Sequence, residues 1–217
     1  MKLPTEQQCL NYFVKYKVPD NIFKHCCAVR NVAVFLAARL KEKNVPINAE
    51  FVNSLALFHD LCKMIVIKDF GRNDFHKDAV ITPEQAAFWH EMQQKYPRHY
   101  EGEVAYELFK DLYPELALSL QQVSNPQNEA PKWEEMVVHY ADWRVLGEKV
   151  VSLAERVAYL RQRYQRSDDT WNKYGQTVRQ QEQKIFSFLS FAADGLAAEM
   201  ETVMEKNSLI KIVDGAA

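Results

Sequence analysis

The residues able to do chemistry in this chain are few and sit in unusual company. Of its six histidines, two fall on apolar helix faces, an expensive place for a polar ring. His25 shares a face with Val29 and Leu36. His59 shares one with Leu55 and Cys62, and Asp60 follows it at once. Asp142 lies inside the apolar run Val137-Val138-His139-Tyr140-Ala141-Asp142-Trp143-Arg144-Val145. A carboxylate buried alone costs several kcal/mol, so it must be paired or metal-bound. One core histidine with a hydrogen-bonded ring needs no ligand. Two imidazoles and two carboxylates from three helices form a mixed nitrogen and oxygen set. Such a set suits Mn²⁺, Fe²⁺, Co²⁺, Ni²⁺ or Zn²⁺ better than an all-oxygen Mg²⁺ cage. His59 and Asp60 point about 100° apart on a helix, and an ion between those directions is reachable by both.

The elements that must position these residues are helical. Ile22, His25, Val29, Val32, Leu36 and Leu40 repeat at steps of three and four, which predicts one helix to about Lys43, capped by Asp20 or Asn21. A second starts near Ala49 and fades around Met64 to Ile67. Residues 68–81 read as irregular, with Gly71, Arg72, Asn73 and Asp74 giving turn chemistry. Thr82-Pro83-Glu84-Gln85 is a helix start; that helix stops at Pro97. Further helices are expected over about 99–112 and 114–123, then a loop over 124–131. The apolar positions from Met136 to Leu160 predict one long helix over about 132–165. A last long helix is expected over about 170–205, and Ile210 to Val213 reads as a short extended tail. The predicted fold is all-α, a helical bundle with a long C-terminal helix packed on it. Residues 1–165 form the metal-binding domain, with 66–98 an insertion, and 166–217 are its helical extension.

Composition narrows the function classes. The chain has 217 residues, 47% hydrophobic and 26% charged, with a formal net charge of −2. That balance carries no electrostatic footprint for nucleic acid or an anionic membrane. No run approaches a membrane span, and the start has no signal-peptide core, so a soluble cytoplasmic protein is expected. Six glycines offer no phosphate loop. Cys9, Cys26, Cys27 and Cys62 contain no C-x-x-C pair and read as reduced thiols.

The order His25, His59-Asp60, Asp142 resembles the HD-domain superfamily of metal-dependent phosphohydrolases. Ile22-Phe23-Lys24-His25-Cys26-Cys27-Ala28-Val29 is similar to that family's first-histidine helix. Ala56-Leu57-Phe58-His59-Asp60-Leu61-Cys62-Lys63 is similar to its hallmark segment, and Tyr140-Ala141-Asp142-Trp143-Arg144-Val145 to its final aspartate helix. The resemblance covers about residues 19–160. It implies an all-α bundle, the metal ligands His25, His59, Asp60 and Asp142, and hydrolysis of a phosphomonoester or phosphodiester. The substrate implied is a nucleotide or another small phosphorylated metabolite. The alternative is a non-catalytic metal- or nucleotide-binding regulatory module on the same fold.

Relatives with two metals carry two more histidines. His99 resembles the first, but Leu120-Gln121-Gln122-Val123-Ser124 holds no second, so one divalent transition metal ion is expected. Asp60 and Lys63 would act at the phosphate, Lys63 by holding an oxygen or tethering Asp60. His99 would protonate the leaving group or support the phosphate. Arg144 is expected in a structural salt bridge. On a continuous helix Arg156 would lie about 21 Å from Asp142, too far to touch it. His139 shares the face of Asp142 but is not required as a ligand. His76 and His90 default to the surface, and Phe88, Trp89, Tyr96 and Tyr100 to packing.

Overall fold

The centre of the molecule follows from one periodic face. In the computed structural model, which describes residues 1–70, 80–123, 125 and 128–203, helix α2 spans Asp20–Glu42. It buries Ile22, Cys26, Val29, Val32, Leu36 and Leu40, the stripe that spacing at three and four residues demands. Pro19 takes the N-cap position without a side-chain bond. Asp20 is therefore the first helical residue rather than the cap, where its charge meets the positive end of the helix. Asn44 closes the helix at φ 60°, a left-handed conformation that asparagine tolerates.

Helix α1 (Glu6–Lys15), unmarked in the sequence reading, is fixed by a capping box between Thr5 and Gln8. Helix α3 (Ala49–Phe58) starts where the Asn48 side chain accepts from the backbone N–H groups of Glu50 and Phe51. Then come α4 (Pro83–Lys95), α5 (Glu101–Phe109), α6 (Pro114–Val123) and α7 (Trp133–Trp143). Helix α4 has the expected cap at Thr82 and the proline at its first position. Helices α2, α3 and α7 pack on one another, and α5 on α6. Beneath the end of α3, Phe58 stacks on Phe109 at 5.1 Å and meets Tyr12 edge-on at 5.7 Å. Such aromatic pairs add roughly 0.5–1.5 kcal/mol each beyond burial, so the turn that follows rests on a rigid base.

The long helix expected over 132–165 does not form. Helix α7 stops at Trp143, and the chain makes a two-stranded antiparallel hairpin, β1 (Val145–Leu146) and β2 (Lys149–Val150). It turns at Gly147, φ 62°, and re-enters helix as α8 (Leu153–Arg163). The break has a physical cause at both ends. The Arg144 N–H bonds of the guanidinium reach the Val151 carbonyl at 2.6 Å and the Ala193 carbonyl at 3.0 Å, and Val151 N–H donates to the Arg144 carbonyl at 2.8 Å. Ser152 then caps α8 in a capping box with Glu155.

The C-terminal helix is also divided. Helix α9 spans Asp168–Phe186 and packs on α7, then the chain breaks and a helix resumes from 196. Arg144, 3% exposed, ion-pairs Glu182 at 3.4 Å and bonds the Tyr140 hydroxyl. This is the structural salt bridge expected of it, and it ties α9 to α7. The fold is all-α apart from the hairpin. Among the described residues no helix is long and apolar enough to cross a membrane. All four cysteines are free thiols. The turn residues Gly71 to Asp74, His76, Ser124 and the Ile210 to Val213 tail lie outside the described residues.

Candidate metal centre

His59 and Asp60 sit just past the end of α3, not inside a helix that continues to Met64. The helical hydrogen bonds stop at Phe58, and a turn leads into a 3₁₀ segment over Lys63–Ile65. A helix end leaves carbonyls without partners. His59 takes one of them: its Nδ1 lies 2.7 Å from the Ala56 carbonyl oxygen. A carbonyl only accepts, so Nδ1 carries the proton and Nε2 presents a lone pair. That Nε2 is buried and has no hydrogen-bond partner. What faces it are acceptors, Asp60 Oδ2 at 3.8 Å and Asp142 Oδ1 at 3.9 Å.

His25 repeats the arrangement from α2. Its Nδ1 lies 3.0 Å from the Gly147 carbonyl oxygen, so the hairpin sets this ring. Its Nε2 is 3.0 Å from Asp142 Oδ1. His25, His59 and Asp142 each place one ligating atom within 4.8 Å of the others. Two ligands about 2.1 Å from one ion can be at most about 4.2 Å apart. The separations of 3.0, 3.8 and 3.9 Å all fall inside that limit. The unpartnered lone pair of His59 facing the carboxylates of Asp60 and Asp142, with the His25 ring against Asp142, makes a mixed nitrogen and oxygen set whose chemistry suits a borderline divalent ion.

Asp60 stands at the side of this three-residue cluster. Lys63 holds it, with Nζ 3.5 Å from Asp60 Oδ1 and 2.9 Å from Glu101 Oε1. Burial alone would lower the Lys63 pKa, but the two carboxylates on either side raise it above its ordinary value. Of the two roles expected for Lys63, the tether of Asp60 is the one its contacts support. Burial would raise the Asp60 pKa, yet Lys63 and His59 hold it below the usual carboxylate range. Asp142 lies lower still: burial opposes ionisation, but the His25 hydrogen bond and the Arg156 guanidinium outweigh it. His25 is desolvated, which lowers its pKa, and the contact with Asp142 raises it by more.

Arg156 overturns the distance expected for it. Its Nη2 is 3.5 Å from Asp142 Oδ1, because the hairpin folds α8 back across the end of α7. Apolar periodicity runs on through the break and hides it. The signals that locate it are Gly147 between Val145-Leu146 and Lys149-Val150, and the Ser152-to-Glu155 capping pattern.

The other expected residues fall outside the cluster. His99 precedes α5 and is exposed. Its Nδ1 lies 3.1 Å from the Pro97 carbonyl and its ring packs on Tyr96, so its placement lends the leaving-group role no support. His139 donates to Gln181 at 2.8 Å and lies aside from the ligands. His90 packs on Phe70. Trp89 is fully buried and Phe88 packs on Tyr16, so these aromatics serve the core. The chain matches no protein-family model, no curated protein and no solved structure.

Proposed function

We propose that this protein is a metal-dependent phosphohydrolase of the HD type, acting on a phosphomonoester or phosphodiester of a small metabolite or nucleotide. One observation carries the metal: the buried, unpartnered Nε2 of His59, aimed at two carboxylates that cannot donate to it. His25, His59 and Asp142 would hold one divalent transition ion, with Asp60 as the fourth ligand. A bound divalent ion supplies Lewis acidity for water and for phosphoryl oxygens. The protein's residues do the rest. The Ala56 and Gly147 carbonyls fix each imidazole with its lone pair inward, the role that outer-shell partners play in metal sites. Asp60, kept ionised by Lys63 and His59, would offer a carboxylate oxygen to the ion. Arg156 and Lys63 keep positive charge where phosphoryl oxygens gather negative charge.

The exposed position of His99 favours one competing reading. Without an acid at the leaving group, the same ligands would serve a regulatory module that binds a metal and a nucleotide. Elemental analysis of dialysed protein, followed by a phosphatase screen with Mn²⁺, Co²⁺ and Ni²⁺, separates the readings. Metal near one per chain with metal-dependent phosphate release is the expected result. Metal without turnover would leave the regulatory module, and no metal under any loading would end both.

A further inference from the structure

Helix α8 buries no residue fully, yet it carries a strip of large side chains on one face. Arg156, Tyr159 and Arg163 follow at intervals of three and four residues, the spacing of neighbours on a helix surface. The Tyr159 ring lies 6.0 Å from the Arg156 guanidinium carbon and 5.3 Å from that of Arg163. The two guanidinium groups are therefore no more than about 11 Å apart. Arg156 reaches the candidate metal centre through Asp142. Tyr164, which ends α8, lies close enough for the charges of Lys63, Asp60 and Arg156 to act on its phenol.

These arginines are poorly matched by the protein itself. The Nε–H of Arg156 and that of Arg163 are buried without an acceptor. Among the described residues no carboxylate lies within ion-pair distance of Arg163. Buried donors are normally satisfied, and the exception on two arginines of one face points to an anion. The charges agree. Asp60, Asp142 and Glu101 balance Lys63, Arg156 and Arg163, so the double charge of a bound ion is left for an anion to meet. Guanidinium groups suit that task, because their planar donors match phosphate oxygens in pairs.

We infer that α8 is the anion-binding wall of the site: Arg156 contacts the phosphoryl group beside the ion, and Arg163 contacts a second anionic group on the same molecule. A separation of at most about 11 Å is within the reach of a diphosphate, whose two phosphorus atoms are bridged by one oxygen. The ligand class is thus a small molecule with two neighbouring phosphate groups. This inference rests on the phosphohydrolase reading for the identity of the first group, but its test does not need turnover.

Binding of inorganic orthophosphate and of pyrophosphate is titrated calorimetrically, in metal-free and in zinc-loaded full-length protein. Pyrophosphate should bind the wild type about 10-fold more tightly or better, the effect of one added charge-assisted contact. Arg163→Gln should abolish that preference while orthophosphate affinity and metal content stay near wild type. Arg163→Lys, which keeps the charge, should retain part of it. Arg156→Gln should weaken both anions. A preference that survives Arg163→Gln, or a wild type that does not distinguish the anions in either form, overturns the inference. Elemental analysis judges the metal separately: a protein without zinc that still shows an Arg163-dependent preference would sink the metal reading and leave the anion wall standing.

Discussion

His59→Asn separates the two nitrogens of the ring. The asparagine amide reaches about as far as Nδ1 and keeps a donor for the Ala56 carbonyl, now met at 2.7 Å. It removes Nε2, the atom with no partner. An ion present at a hundredfold excess over its Kd stabilises the native state by about 2.7 kcal/mol. For a chain of 217 residues, each kcal/mol moves Tm by about 2–4 °C, so metal should raise the wild-type Tm by about 5–11 °C. Losing an outer-shell partner alone costs 10–100-fold in metal affinity, so losing a ligand costs about 100-fold or more. At the same ion concentration the metal contribution in the variant then falls to about 0.4 kcal/mol, or about 1 °C. In metal-free protein the outcome is different. Removing a buried unpaired acceptor returns about 1–3 kcal/mol, and the space left by the shortened ring costs a similar amount. The metal-free Tm should therefore stay within a few degrees of wild type. Scanning calorimetry with and without each of Mn²⁺, Co²⁺, Ni²⁺ and Zn²⁺, beside elemental analysis, makes the comparison. Equal metal-induced shifts in the two proteins would refute the assignment of Nε2 as a ligand.

Three further predictions follow from the same geometry. Lys63→Ala leaves Asp60 and Glu101 facing each other and should cost about 1–3 kcal/mol in urea unfolding, a buried-pair loss reduced by the partial exposure of Lys63; an unchanged midpoint would remove the tether. Gly147→Ala meets no neighbouring atom but must hold φ 62°, costing about 1–2 kcal/mol, and it should weaken metal binding about 10-fold by moving the carbonyl that orients His25; metal affinity equal to wild type would show that the hairpin does not set the ring. In metal-free protein the raised His25 pKa adds stability that is complete below the unfolded value of about 6.5 and is lost as pH rises through the folded value. Its stability should therefore fall as pH rises above about 6.5, and His25→Gln should flatten that fall; an equal slope in both proteins would contradict the Asp142 contact.

The sequence alone determined the parts of this protein that depend on local pattern. The spacing of Ile22, Val29, Val32, Leu36 and Leu40 was enough for α2, because a period of 3.6 residues admits one buried face. Thr82 and Pro83 marked α4, because caps satisfy backbone donors within one turn. His25, His59 and Asp142 stood out because polar groups on apolar faces require a partner, and the structure brings those three together. Tertiary structure decided what depends on how distant segments meet. The apolar positions from Met136 to Leu160 repeat helically on both sides of a reversal. The packing of Arg144 against Val151, Ala193 and Glu182 holds the two sides of the turn together, and with them Arg156 at Asp142. Lys63 read as a phosphate contact or a tether as readily as a surface lysine at a helix end, until Glu101, contributed by another helix, lay 2.9 Å from it. His99 matched a pattern in sequence, but its backbone stays outside α5 and its ring turns to Pro97 and Tyr96. Periodicity reports which residues avoid water; it carries no information on which of them meet.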